Sequence, residues 1–171
     1  FATDITERVE EAARAAALIA AIERSMAVIE FSPDGTVLRA NDNFLQTMGY
    51  SAGEVIGKHH RLFCEPGDYQ SAEYQAFWDK LCRGEFVSGR FKRLDCHGRT
   101  VWLEASYNPI FDSKGRLYKV VKFASDVTAQ VQQQEAESRA ARLAYDTSLH
   151  TDETAQQGAQ VVQRTVEVMQ S

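Results

Sequence analysis

The chain has 171 residues, 44% of them hydrophobic, and a formal net charge of −5. That length suits one globular domain of ordinary size with some chain to spare. The acidic balance argues against nucleic-acid binding, which calls for a basic face, and no apolar run approaches the roughly 20 residues that span a bilayer.

Residues 1–26 read as a helix. Ile5, Val9, Ala12, Ala16 and Ile19 recur in alternating steps of four and three, and Ile22 and Met26 continue the face. This is a heptad seam of largely small residues, suited to a partner helix or to the helix's own domain.

Residues 27–128 change character. "AVIEF" meets the turn "SPDG" and then "TVLRAN", a hairpin signal. "DNFLQTMGY" follows as a short helix, with Asn41 or Asp42 as N-cap and Gly49 as its stop. Beyond "CEPGD" a longer helix carries Tyr74, Phe77, Trp78 and Leu81 on one face. Three strands complete the segment: "FVSGRFKRL", "TVWLEASYNPIF" and "LYKVVKFASD", joined by the turns "DCHG" and "DSKG". Two strands, several short helices and three strands predict an α+β fold, a five-stranded antiparallel sheet with short helices on one face.

Residues 129–171 return to helix, with Asp126 placed to cap its start. Ala155, Ala159, Val162, Val166 and Met169 repeat the four-three pattern, whereas Ser148 and Asp152 interrupt it. Coiled-coil packing is therefore expected mainly toward the end of that helix.

Three cysteines, Cys64, Cys82 and Cys96, form no C-x-x-C pair, and no signal-peptide pattern is visible, so a reducing cytosolic compartment is expected. No G-x-S-x-G, Walker loop or zinc pattern occurs, and catalysis is not expected.

The strand order, together with "ANDNF", "GYS…EVIG", "NPI" and the "DVT" that leaves the last strand, resembles a PAS sensor domain over about residues 22–128. The helix from 129 on resembles the entry into the signalling hairpin of a methyl-accepting chemotaxis receptor, and the whole resembles aerotaxis-type receptors. Gln156 and Gln157 do not match the flanking pattern of receptor methylation sites, so none is assigned.

The resemblance implies a ligand between the sheet and the helices. Light-oxygen-voltage sensors carry a reactive cysteine where this chain has His60, and polar groups where it has Leu103 and Ala124, so a photochemical adduct is not expected. Oxygen-sensing heme PAS domains place their axial histidine where this chain has Glu73; other PAS hemes take it from a preceding helical turn, so likeness to those implies His59 or His60, at most one of the two, as ligand to heme b. Likeness to the aerotaxis receptors implies FAD, with Trp78 covering the isoalloxazine ring and His60, Asn41, Arg61, Phe77 and Asn108 completing its surroundings. Cys64 and Glu65 depart from the basic residue and histidine that those receptors often have before the proline, with Lys58 and Arg61 as substitutes near a pyrophosphate.

The resemblance further implies a homodimer, a chemotaxis kinase and adaptor complex reached through further signalling segments, and transmission through Asp126 and Thr128. A structural module without ligand is the alternative. The bland reading of Trp78 is core, and of His59 and His60 a hydrogen-bonding wall.

Overall fold

The computed structural model describes residues 2–170; Phe1 and Ser171, the outer ends expected for the two flanking helices, lie outside the described residues. Thr128 closes a first compact unit and Ala129 opens a second.

In the first unit, helix α1 (Ala2–Ser25) leads into strands β1 (Ala27–Phe31) and β2 (Val37–Ala40). Helices α2 (Asp42–Met48), α3 (Ala52–Val55), a 3-10 turn (His60–Phe63), α4 (Pro66–Tyr69) and α5 (Ala72–Cys82) follow. Strands β3 (Val87–Leu94), β4 (Thr100–Phe111) and β5 (Leu117–Asp126) complete the sheet. The strand order is β2-β1-β5-β4-β3, with every pair antiparallel. This is the α+β architecture expected from the sequence.

The sheet has one face for the core because its strands alternate. Ala27, Ile29 and Phe31 of β1, Leu103, Ala105 and Tyr107 of β4, and Val120, Lys122 and Ala124 of β5 point to the inner side. Phe44, Met48, Val55, Phe63, Trp78 and Leu81 cover them from the helices. On the opposite face, Val28, Val121 and Phe123 meet Ile19 and Ile22 of α1 around an apolar recess.

Local signals set the short helices. Asn41 caps α2 by accepting from Phe44 N at 2.9 Å, which decides between the two N-cap candidates. Gly49 ends α2 at φ 72°, in the left-handed region that an L side chain resists. Helix α6 (Thr128–Met169), which from Ala129 on makes up the second unit, is continuous through the interrupted stretch around Ser148 and Asp152. Ser148 and Asp152 therefore weaken the seam without breaking the helix.

Candidate functional site

The two adjacent histidines divide because their segment runs beside β2. Val37 N donates to Lys58 O at 2.8 Å, His60 N donates to Gly35 O at 2.8 Å, and Thr36 pairs with His59. In extended chain, neighbouring side chains point to opposite sides. His60 turns inward and is fully buried, while His59 stays half-buried at the rim and accepts from Arg61 N through Nδ1 at 3.2 Å. Gly35 has φ 87°, and a Cβ there would come within 2.8 Å of His59 Nε2 and 3.1 Å of the Trp78 ring. The turn must therefore be glycine for both conformation and space.

His60 is held at both ring nitrogens. Nδ1 lies 2.9 Å from the Tyr74 hydroxyl on α5, and Nε2 lies 3.1 Å from the Tyr107 hydroxyl on β4. Arg93 of β3 donates from Nη2 to the same Tyr107 oxygen at 3.2 Å. Lys122 of β5 sets its ammonium 4.8 Å from the Tyr107 ring centroid and 6.0 Å from that of Phe44. A hydrogen-bonded chain thus links α5, the 3-10 turn, β4 and β3 through the interior, with a second cation beside it.

The electrostatics follow from burial and from two positive neighbours. Burial, then Arg93 and Lys122, hold His60 well below the ordinary imidazole value, so it is neutral. Burial pushes the Tyr107 phenol up, but Arg93 and Lys122 outweigh it and leave the group lowered. Tyr74, lacking such neighbours at contact, is pushed up to about 12 by burial. Burial also lowers Lys122 and raises Cys64, whose sulfur lies 3.7 Å from His60 Nδ1.

Aromatic rings pack around this network. Trp78 meets Phe31 at 6.0 Å, His60 at 5.5 Å and Phe77 at 5.6 Å between centroids, each edge to face. Phe77 meets Tyr107 at 4.8 Å, and Phe91 meets Tyr107 at 5.2 Å. The Trp78 indole N–H is buried near the Tyr74 hydroxyl but lacks hydrogen-bond geometry to any acceptor. Arg93 Nε is likewise buried without an acceptor.

Of the residues expected around a flavin, three converge here: His60, Phe77 and Trp78. The other three lie elsewhere. Asn41 is consumed in structure, accepting from Val28 N and donating to Glu23 O and Met26 O as well as capping α2. Arg61 is exposed. Asn108 alternates to the outer face of β4 and donates to Ser106 O and Val121 O. A ring stacked on another needs about 3.5–4 Å of free space over its face, and Trp78 is already ringed by Phe31, His60 and Phe77 at 5.5–6.0 Å between centroids in T-shaped contacts. In this arrangement the residues do not fit an isoalloxazine. They do not fit heme either, because both His60 nitrogens are taken and His59 faces Gly35 rather than the interior. Among the described residues, no three His, Cys, Asp or Glu side chains gather as a metal site.

Sequence reading passed over Tyr107, Arg93 and Lys122. The signal was present but faint: Val120, Lys122 and Ala124 share one strand face, yet Val121 and Phe123 make the other face equally apolar.

At the far end of β4, Trp102 O accepts from Val127 N at 2.8 Å, and Trp102 N donates to Thr128 Oγ1 at 2.9 Å. Asp126 accepts from Thr128 N at 2.9 Å and from its hydroxyl. β4 therefore carries Tyr107 in the interior and Trp102 at the link to the exit segment.

The biofilm dispersion protein BdlA of Pseudomonas aeruginosa is 47% identical over 169 residues, covering 99% of this chain and 40% of that protein. The aerotaxis receptor of Escherichia coli is 32% identical over 74 residues, 43% of this chain and 14% of the receptor. The chain thus spans well under two thirds of these relatives. An RNA-binding light-oxygen-voltage receptor superimposes with a TM-score of 0.60 at 23% identity, covering 76% of this chain and 37% of that one, which speaks for the fold alone. No described helix is long and apolar enough to cross a membrane. With residues 37–124 matching the PAS fold model and the sheet order as found, the chain belongs to the PAS family.

Proposed function

We propose that this chain is the sensory module of a chemotaxis-type receptor, binding a small ligand in the PAS interior and relaying its state through β4 to α6. The observation that carries this reading is the chain from Tyr74 through His60 and Tyr107 to Arg93 in the middle of an apolar core. A core built only for stability has no need of buried cations, which are costly to desolvate. A ligand that displaces one of these hydrogen bonds changes where Tyr107 sits, and β4 conveys that to Trp102, Thr128 and Asp126. The ligand drives the change only through its different affinity for the two arrangements.

Likeness to BdlA and to the aerotaxis receptor supports a cytoplasmic module that works as a homodimer and reaches a kinase and adaptor complex through signalling segments. It binds and relays and does not catalyse. The same likeness favours redox or oxygen as stimulus and FAD as cofactor, but FAD at Trp78 requires the surrounding rings to part. Heme requires His60 to release a tyrosine. The packing favours a ligand smaller than either.

Native mass spectrometry and an absorption spectrum of the freshly purified chain test this. A bound or bindable small molecule that is lost in Tyr107→Phe supports the reading. A flavin or heme band returns the site to those cofactors. No ligand in any preparation leaves a dimerisation and transmission module.

A further inference from the structure

The interior has an imbalance of charge. Arg93 and Lys122 are 9% and 2% exposed, and the ion pairs among the described residues include neither. Among the described residues the one buried acid, Asp95, is occupied by Arg99 and by the backbone of its own turn. The groups acting on the two cations that could turn negative are Tyr107, Cys64 and Tyr74, two phenols and a thiol. Even a Tyr107 phenolate would answer only one of the two charges. The hydrogen-bond count leans the same way: Arg93 Nε and Trp78 Nε1 are both buried N–H donors with no acceptor. Buried donors in native proteins almost always have a partner, whether from the protein, water or a ligand. What the site lacks is an anion that accepts hydrogen bonds.

We propose that this interior site takes the carboxylate of a small organic acid, held by Arg93 and Lys122. The assignment deepens the sensory reading above and rests on it. Arg93 Nη1 donates to Lys92 O at 2.7 Å and Nη2 to Tyr107, which leaves Nε without an acceptor; a carboxylate bound on the Nε–Nη2 edge of the guanidinium would satisfy Nε and take over the Tyr107 bond. Arg93 lies over the Phe91 ring, Lys122 lies beside Tyr107 and Phe44, and Phe77 packs on both Phe91 and Tyr107, so the surroundings of the two cations suit an apolar or aromatic body rather than a fully hydrated inorganic anion. Close ring packing restricts that body to something much smaller than a flavin. Tyr107 is shared among His60, Arg93 and Lys122, so a carboxylate that takes over either cation loosens the hold on the β4 strand.

The full chain is titrated with acetate, benzoate and succinate, with benzamide as the uncharged match to benzoate and phosphate as an inorganic anion. Tryptophan emission and thermal shift are the readouts. At least one carboxylate is expected to saturate with a Kd at least tenfold below those of benzamide and phosphate, and Lys122→Met and Arg93→Met are each expected to weaken it tenfold or more. Benzamide or phosphate binding as tightly as the carboxylates overturns the assignment of ligand class and leaves the sensory reading standing. Carboxylate binding that survives both substitutions overturns the placement. If none of the three carboxylates saturates, the assignment is overturned. The sensory reading falls with it only if native mass spectrometry of the freshly purified chain also finds no bound small molecule. Because the comparison of probes is made on the unaltered chain, it holds even if a variant fails to fold.

Discussion

The PAS core and its flanking helices spend their apolar residues in opposite ways. Between β1 and β5, the large side chains turn inward until Phe31, Phe44, Tyr107 and Leu103 are essentially inaccessible, and the fold encloses polar groups there as well. Helix α1 exposes Ile5, Val9, Leu18 and Ile19, each more than half accessible, and α6 exposes Val161, Val162 and Met169 likewise. Apolar stripes left to water mark surfaces for association. The difference separates a core whose polar network is closed within one chain from helices whose apolar stripes find no cover in their own chain.

The largest expected effect separates these regions at once. Phe31 is fully buried and touches the rings of His60, Trp78 and Tyr107. Phe31→Ala leaves a cavity that should cost about 3–5 kcal/mol of unfolding free energy in denaturant melts. A loss under about 1 kcal/mol would mean that the ring cluster is loosely packed and the core is not the rigid half of the comparison.

A second break comes from pH. Folded His60 is held neutral by burial and by Arg93 and Lys122, whereas in the unfolded chain it titrates near its ordinary 6.5. The unfolded state therefore binds more protons below that value. The stability due to neutral His60 is fully present above about 6.5 and is lost as pH falls toward its depressed folded value. The slope should approach about 1.4 kcal/mol per pH unit, and it should vanish in His60→Phe. An equal slope in both proteins would assign the acid sensitivity to other groups.

How much of this could be read in the sequence depended on the kind of signal. Strands, turns and helix stops came from local chemistry: "SPDG" and "DSKG" need glycine, and Gly49 takes φ 72°. The inward placement of Trp78 and Phe77 followed from helical spacing. Resemblance alone singled out His60 for the interior, where it is fully buried; local sequence did not choose between His59 and His60, because the choice depends on the bridge between Thr36 and His59, a contact across the fold. Arg93 and Lys122 were missed for a related reason. Cations in strands ordinarily face water, and only the register of β4 against β3 and β5 turns these two inward beside Tyr107. Asn41 shows the opposite error, since a side chain placed by resemblance near a cofactor is fully engaged in capping and in tying β1 to α1.

The junction between the regions is the next test. Asp126 holds Thr128, and Thr128 holds Trp102 of β4. Asp126→Ala should cost about 1 kcal/mol and leave the interior network intact, while output from a chimeric receptor becomes uncoupled from the stimulus. Unchanged signalling in that chimera would show that the relay leaves the core by another route.

The smallest effect on the fold is expected on the seam, and it is the most direct probe of what the helices are for. Val9 is 63% exposed and Val120 is fully buried, though both are valines on apolar stripes. Val120→Glu would force a longer, charged side chain into a fully buried site that holds only an isopropyl group and should destabilise the fold severely. Val9→Glu removes little that is buried within its own chain, so its melting at low concentration should stay within about 0.5 kcal/mol of the parent. What it should change is self-association, because a charge at a heptad seam position must be desolvated when a second helix packs there. Sedimentation equilibrium across a hundredfold range of concentration should show a dimer in the parent and at least tenfold weaker pairing in Val9→Glu. Should both chains remain monomers throughout, α1 would need a different partner, and relay by paired helices would lose its basis while the ligand chemistry of the core stood unaffected.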